Sequence, residues 1–201
     1  MPPCCVWWEY KDHPNHNAIL LDAFAAEQSA ALANHERWRI PGDTRPTHRA
    51  CFEPLTLKGL EYYAGNSRGS AIGCLVHFKV GVGGDDLVGD DPAEVAGAMA
   101  RIEGEFLPLI TAVEQLDGAV RVQHAIALAA EFLTYFLTVH PYINGNGHTA
   151  RFGAWVLMRH LGLDPAGFIV HGTDLPYGTA LYQHRRGNVV PLEQFLYSCL
   201  A

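Results

Sequence analysis

The feature that most constrains this chain is an apolar run from Ala125 to Val139, broken by Glu131. A polar stretch of twelve residues follows, His140-Pro141-Tyr142-Ile143-Asn144-Gly145-Asn146-Gly147-His148-Thr149-Ala150-Arg151, and then a second apolar run from Phe152 to Leu161. Two such runs around a Gly/Asn-rich segment predict helix, polar loop, helix, with the loop at one end of a buried helix pair. The first helix, expected over 119–139, is the longest in the chain and apolar nearly all round, so it belongs at the centre of the fold. Its sparse polar positions are His124, Glu131, Thr134 and Thr138. Glu131 reads as a rim residue or an internal hydrogen-bond partner rather than a second catalytic carboxylate.

The loop carries chemistry as well as shape. Asn and Gly tolerate positive φ, so 144–147 can turn sharply. The helix expected from His148 exposes its first N–H groups and the positive end of its dipole, and two glycines let an anion approach that backbone. His148 and Arg151 stand three apart and share a face of the first turn. His140 ends the preceding helix just before Pro141 and has the chemistry of a general base near neutral pH. A base, an anion hole and a cationic clamp thus lie within one loop.

These residues resemble the Fic family motif, His-x-Phe-x-(Asp/Glu)-Gly-Asn-Gly-(Arg/Lys)-x-x-Arg, at His140, Tyr142, Asn144, Gly145, Asn146, Gly147, His148 and Arg151. Tyr142 stands where the family has Phe, Asn144 where it has the acidic residue that holds Mg²⁺, and His148 where it has a basic residue on the nucleotide phosphates. The stretches 177–181 and 187–192 are similar to the family's closing helices. The resemblance covers about 80–200. It implies an all-α, Fic-like helical bundle with one short β-hairpin, the flap, over the site and registering the target segment by strand addition.

The rest of the chain is read from local signals. Residues 1–16 are expected to be an irregular arm; its Cys4, Cys5, His13 and His16 fit no zinc spacing. Residues 17–37 predict a helix with Leu20, Phe24 and Leu32 inward, ended by 40–43. Pro46 and Pro54 mark a connecting stretch, and Thr56–Ala64 a further helix closed by Gly65. Residues 65–69 read as loop, 72–82 as a strand, 83–86 as a tight turn and 87–88 as the return, giving the hairpin. Gly81-Val82-Gly83-Gly84 lacks the Lys-Ser/Thr of a phosphate loop. Asp91, Pro92 and Glu94 announce a helix start, with Val95, Met99, Ile102, Phe106 and Leu109 as its inner face. Helices are expected at 148–161, 177–186 and 191–200, with His171, His184, Arg185 and Arg186 facing solvent.

The chain has 201 residues, 49% hydrophobic, enough for one domain with a proper core. A net charge of −7 argues against nucleic-acid binding through a broad basic face. Five scattered cysteines and an uncharacteristic start give no sign of secretion, so a reduced, cytoplasmic setting is expected, and no membrane span.

The resemblance implies an enzyme, a protein adenylyltransferase or related nucleotidyltransferase. It would move AMP, or another phosphate-containing group, from ATP or another nucleotide to a Ser, Thr or Tyr hydroxyl of a target protein. In that scheme His140 is the catalytic base. Gly145, Asn146 and Gly147 bind phosphates, Arg151 and His148 hold the distal ones, Asn144 is the Mg²⁺ ligand, and Tyr177 either lines the nucleotide pocket or packs at its rim. The family's inhibitory Ser/Thr-x-x-x-Glu-Gly/Asn helix has no match here, so any brake is expected from a separate antitoxin-like protein. The alternative is a Fic fold that binds nucleotide or a protein partner without turnover, because Asn144 and His148 weaken the parts of the site that handle charge.

Overall fold

The computed structural model describes residues 7–34, 43–82, 84–168, 170 and 177–201. Among them the architecture is mainly α, with helices α1 (His16–Ala33), α2 (Arg45–Phe52), α3 (Pro92–Glu114), α4 (Gly118–Val139), α5 (Asn146–His160), α6 (Gly178–His184) and α7 (Val190–Ser198).

Helix α4 is the axis. Its second half, from Ala125 onward, is buried on almost every side, with Phe132, Leu133 and Phe136 fully enclosed. It packs most extensively against α5, then α3, and also against α7. Truncating one of these phenylalanines would cost about 3–5 kcal/mol. At 22 residues α4 is long and apolar enough to cross a membrane by length and composition, unlike the expectation from its interrupting Glu131, yet 61% of its most apolar window is buried inside the fold. Glu131 is exposed, as expected of a rim residue.

Helix α3 begins as its sequence dictates. Pro92 takes the first turn and Asp91 caps it by accepting the Ala93 N–H at 3.0 Å. Its buried stripe is Val95, Ala98, Ile102, Phe106, Ile110 and Val113, whereas Leu109 is 49% exposed. Four steps from Phe106, not three, keep the stripe on one face, so Ile110 takes the place expected for Leu109.

Several expectations for the first half are corrected. Leu20 and Phe24 of α1 are buried, but Leu32 is 41% exposed and Ala31 faces inward instead. The stop expected at 40–43 lies largely outside the described residues. The stretch around Pro46 is a helix, because Pro sits in its first turn, where the missing N–H has no helical partner to lose. The helix expected over 56–64 is only a 3₁₀ turn at Glu61–Tyr63.

The expected strand is also absent. Gly73–His77 forms a 3₁₀ helix, and the flap reduces to one antiparallel bridge between Val82 and Asp85. A β-rich composition does not make a strand without a partner edge to pair with. From residue 7 onward the N-terminal stretch is not an exposed arm: Trp8 and Tyr10 are buried, Tyr10–Asp12 makes a 3₁₀ turn, and Trp8 Nε1 donates to the Leu55 carbonyl at 3.0 Å. Cys4 and Cys5 lie outside the described residues. His184 and Arg185, expected in solvent, are largely buried, and His171 is not among the described residues.

Candidate active site

The site is built on the C-terminal end of α4, where a helix leaves carbonyls without helical partners. Here they are taken up in order. Phe136 O accepts the His140 N–H, and Leu137 O accepts from His140 Nδ1 at 3.3 Å. Thr138 O accepts the Gly89 N–H. Val139 O accepts from Arg68 Nη2 at 2.8 Å and His140 O from Arg68 Nε at 2.7 Å. Pro141 O accepts the backbone N–H of Arg68 at 2.7 Å.

Arg68 is therefore the clamp that sets the direction of the chain as it leaves α4. Its side chain is fully buried, and Nη1 also donates to the carbonyls of Phe78 and Asp90. It satisfies backbone groups from three segments, and burial pushes its pKa down to about 10, which leaves it charged at neutral pH. Sequence reasoning passed over it as one residue of a small, polar loop. The only signal was an isolated arginine between Ser67 and Gly69.

His140 is held in the left-handed region, φ 53° and ψ 61°, the one positive-φ residue other than glycine among those described. A left-handed backbone costs a β-carbon-bearing residue about 1–2 kcal/mol, and such strain persists where the surroundings enforce it. A carbonyl only accepts, so the His140 Nδ1 bonded to Leu137 O carries the proton and Nε2 carries the lone pair. Burial first, and then the nearby charges of Arg68 and Arg185, push its pKa down to about 4. The ring is thus neutral at physiological pH, with its basic nitrogen not engaged by the helix end.

The loop itself is rigid. Asn146 closes it: its Oδ1 accepts the Tyr142 N–H and its Nδ2 donates to the Tyr142 carbonyl, both at 2.8 Å. The Asn146 amide, expected on phosphates, is committed to loop shape in this arrangement. Tyr142 is the expected anchor, 1% exposed, stacked on the His48 ring at 3.7 Å between centroids and bonded through its hydroxyl to Thr44. Gly145 has φ 76°, and a β-carbon there would stand 2.4 Å from the Phe52 ring. Positive φ and lack of space together require glycine.

Helix α2 thus forms the floor beneath the loop. His48 accepts the Gly65 N–H on Nδ1 and donates from Nε2 to the Asn144 carbonyl, both at 2.9 Å. Full burial drives its pKa down to about 4, which keeps it neutral. None of these residues before position 75 showed a motif in the sequence.

The first turn of α5 brings His148 and Arg151 together, as their spacing required, but in an unexpected relation. Arg151 Nη2 donates to His148 Nδ1 at 3.0 Å. An arginine only donates, so the imidazole accepts at Nδ1 and carries its proton on Nε2, which meets the Tyr10 hydroxyl at 3.0 Å. His148 is therefore a buried, neutral link between the N-terminal turn and Arg151 rather than a cation aimed at phosphate. Arg151 also donates from Nε to the Val170 carbonyl and from Nη1, at 3.4 Å, to the hydroxyl of buried Tyr177. Nη1 lies over Gly147, 3.3 Å from where a β-carbon would stand. Tyr177 packs on Phe195 and Phe168 as well, as a buried residue of the core.

Residues 79–158 match the family model described as the Fic/DOC family, a span from the flap turn through α3, α4 and the loop into α5. Over these residues the chain is similar to the Fic/DOC family. No curated protein matches the chain.

Asn144, the expected Mg²⁺ ligand, is already engaged by the protein. Asn144 donates from Nδ2 to the Trp8 carbonyl at 3.0 Å, and its Oδ1 accepts the Gly145 N–H at 2.9 Å. Among the described residues no three His, Cys, Asp or Glu side chains converge as ligands. A neutral, already engaged amide does not fit Mg²⁺ held by the protein itself, since that ion favours carboxylate oxygen.

Proposed function

We propose that this Fic-type transferase moves a nucleotidyl group, AMP from ATP as the commonest case, onto a Ser, Thr or Tyr hydroxyl of a target protein. The observation that carries the reading is His140, fixed at the end of α4 as the neutral Nδ1–H tautomer with Nε2 available. Nε2 takes the proton of the attacking hydroxyl. The hydroxyl oxygen bonds to the α-phosphorus, the bond to the leaving phosphate oxygen breaks, and pyrophosphate departs with that electron pair. Backbone N–H groups at the start of α5, with Arg151 over Gly147, supply the anion-binding end. Mg²⁺ would have to be held by the nucleotide rather than by Asn144, and would supply charge neutralisation at the phosphates.

A second reading, nucleotide or partner binding without turnover, is favoured by the Tyr10–His148–Arg151 chain, which occupies the clamp from inside. The deciding experiment incubates the protein and candidate targets with donors labelled on the transferable group, ATP, other nucleoside triphosphates and a choline-bearing nucleotide, with Mg²⁺ or Mn²⁺. Mass spectrometry of modified protein reads the product. A mass increment that depends on His140 supports transfer. Nucleotide-induced thermal stabilisation without any covalent product supports the second reading.

A further inference from the structure

Four charged residues meet where the flap turn touches the end of α6. Asp85 is 7% exposed, and its Oδ2 accepts from Arg185 Nε at 2.9 Å and Arg185 Nη2 at 2.7 Å. Its Oδ1 accepts from Arg186 Nη1 at 3.2 Å and the Leu87 N–H at 3.4 Å. Arg186 reaches on to exposed Asp86 at 3.0 Å and lies over the Tyr182 ring. The Asp85 carboxylate is thus saturated. Nε and Nη2 share one edge of the Arg185 guanidinium, so the two N–H groups of Nη1 point away from Asp85.

Among the described residues those two donors have no acceptor. The Arg185 side chain is only 10% exposed, and Nη1 is a buried nitrogen without a hydrogen-bond partner. Orphaned buried donors on a charged group are costly and call for a partner. Arg186, by contrast, uses its donors on two carboxylates and the Tyr182 carbonyl and is one-third exposed. Asp85 therefore fixes Arg185 with Nη1 turned away from the carboxylate.

We propose that Arg185 Nη1 is an anion subsite beside His140 that takes a phosphoryl oxygen of the nucleotide. The assignment rests on the transferase reading above. A phosphoryl oxygen carries the charge and lone pairs that a guanidinium N–H pair binds best. Its seat lies toward His140: the segment that carries Asp85 runs on to Gly89, whose N–H bonds Thr138 O at the end of α4, two residues before His140, and the charge of Arg185 accordingly lowers the basicity of that ring. An anion on Nη1 offsets that charge, so the nucleotide itself raises the basicity of His140 when it binds. The flap turn thereby also serves the phosphate, since Asp85 orients the arginine that reads it.

The test uses inorganic pyrophosphate as the probe, titrated calorimetrically and by NMR of the His140 ring in the full chain. The expected result is that pyrophosphate moves the His140 ring resonances and that Arg185→Gln weakens binding about 10-fold or more. Arg186→Gln removes the same charge but not Nη1, and should bind within about twofold of the unmodified protein. Should Arg185→Gln fold poorly with Asp85 left behind, the double change Asp85→Asn with Arg185→Gln gives a neutral hydrogen-bonding pair in its place and must show the same loss. Unmoved His140 resonances, or equal losses from Arg185→Gln and Arg186→Gln, overturn the subsite. ATP and O-phosphoserine titrated in parallel separate the sources: an Arg185 dependence for phosphoserine but not ATP overturns the nucleotide assignment. Arg185-dependent pyrophosphate binding upholds the subsite even where no donor gives transfer. Transfer with Arg185-independent pyrophosphate binding overturns the subsite and leaves the transferase reading standing.

Discussion

Replacing His140 by glycine and by alanine separates its chemistry from its backbone strain. Both changes remove the imidazole, its Nδ1 contact to Leu137 O and its half-buried packing, so those losses cancel in the comparison. What differs is the backbone at φ 53°. Alanine keeps the left-handed cost of about 1–2 kcal/mol, which glycine escapes. Glycine gives back part of that through its larger unfolded-state entropy, by about 0.5–1 kcal/mol. His140→Gly should therefore be about 1 kcal/mol more stable than His140→Ala, a difference of roughly 2–4 °C in melting temperature for a chain of this size. Both should lose about 10²–10⁴-fold in transfer rate, because both lack the base. Urea denaturation measures the first quantity and labelled transfer the second. Equal stability of the two variants would show that Arg68 and the Leu137 contact do not impose the strain. Transfer near the unmodified rate in either would remove His140 from the mechanism.

Arg68→Lys should destabilise the chain by about 3 kcal/mol, because an ammonium group reaches fewer of the four carbonyls that the guanidinium serves and leaves buried acceptors orphaned; thermal melts check it, and a shift within error would refute the clamp. Gly145→Ala combines left-handed strain with a β-carbon 2.4 Å from the buried Phe52 ring, and should cost on the order of 3 kcal/mol, part of it recovered by adding Phe52→Leu; no recovery in the pair would show that strain alone is responsible. Acid should weaken the fold through His48, whose pKa is about 4 when folded and 6.5 as the reference value. Between those values the unfolded chain binds more protons, so stability is complete above pH 6.5 and is lost as pH falls toward 4, by on the order of 3 kcal/mol for this residue. Denaturation midpoints across that window measure it, and a profile that stays flat, or that is unchanged by His48→Gln, would refute it. For His140 the same direction means that the acid limb of kcat/KM lies near pH 4 rather than 6.5, unless bound anion raises it.

Local order around the loop was legible because local physics creates it. Asn and Gly between two apolar runs have few backbone options, Pro92 and Asp91 define a helix start by themselves, and the density of apolar residues in 125–139 leaves α4 no place but the centre. The nearness of His140, Tyr142 and Gly145 in the loop to Gly147 and Arg151 at the start of α5 followed from their spacing. The flap was misjudged as a hairpin because β-propensity describes a side chain's fit to a sheet that must already exist, and residues 73–77 meet none. Leu32 and Leu109 were misplaced because one step along a helix rotates a side chain by about 100°, and only the packing partners decide which of two adjacent residues faces in.

The sequence by itself determined the mainly helical fold, the central helix and the loop that carries His140. Tertiary structure alone decided the protonation and aim of every side chain in that loop. Arg68, His48, Phe52 and Tyr10 reach it from 72, 96, 93 and 138 positions away along the chain, to His140, Asn144, Gly145 and His148. A hydrogen bond depends on donor and acceptor standing within about 3 Å, whatever their separation in sequence. Spacing could therefore place His148 beside Arg151, but not show that Tyr10 turns it into a neutral link. Likewise it could count Arg185 among surface charges, but not show that Asp85 leaves one of its nitrogens buried without a partner.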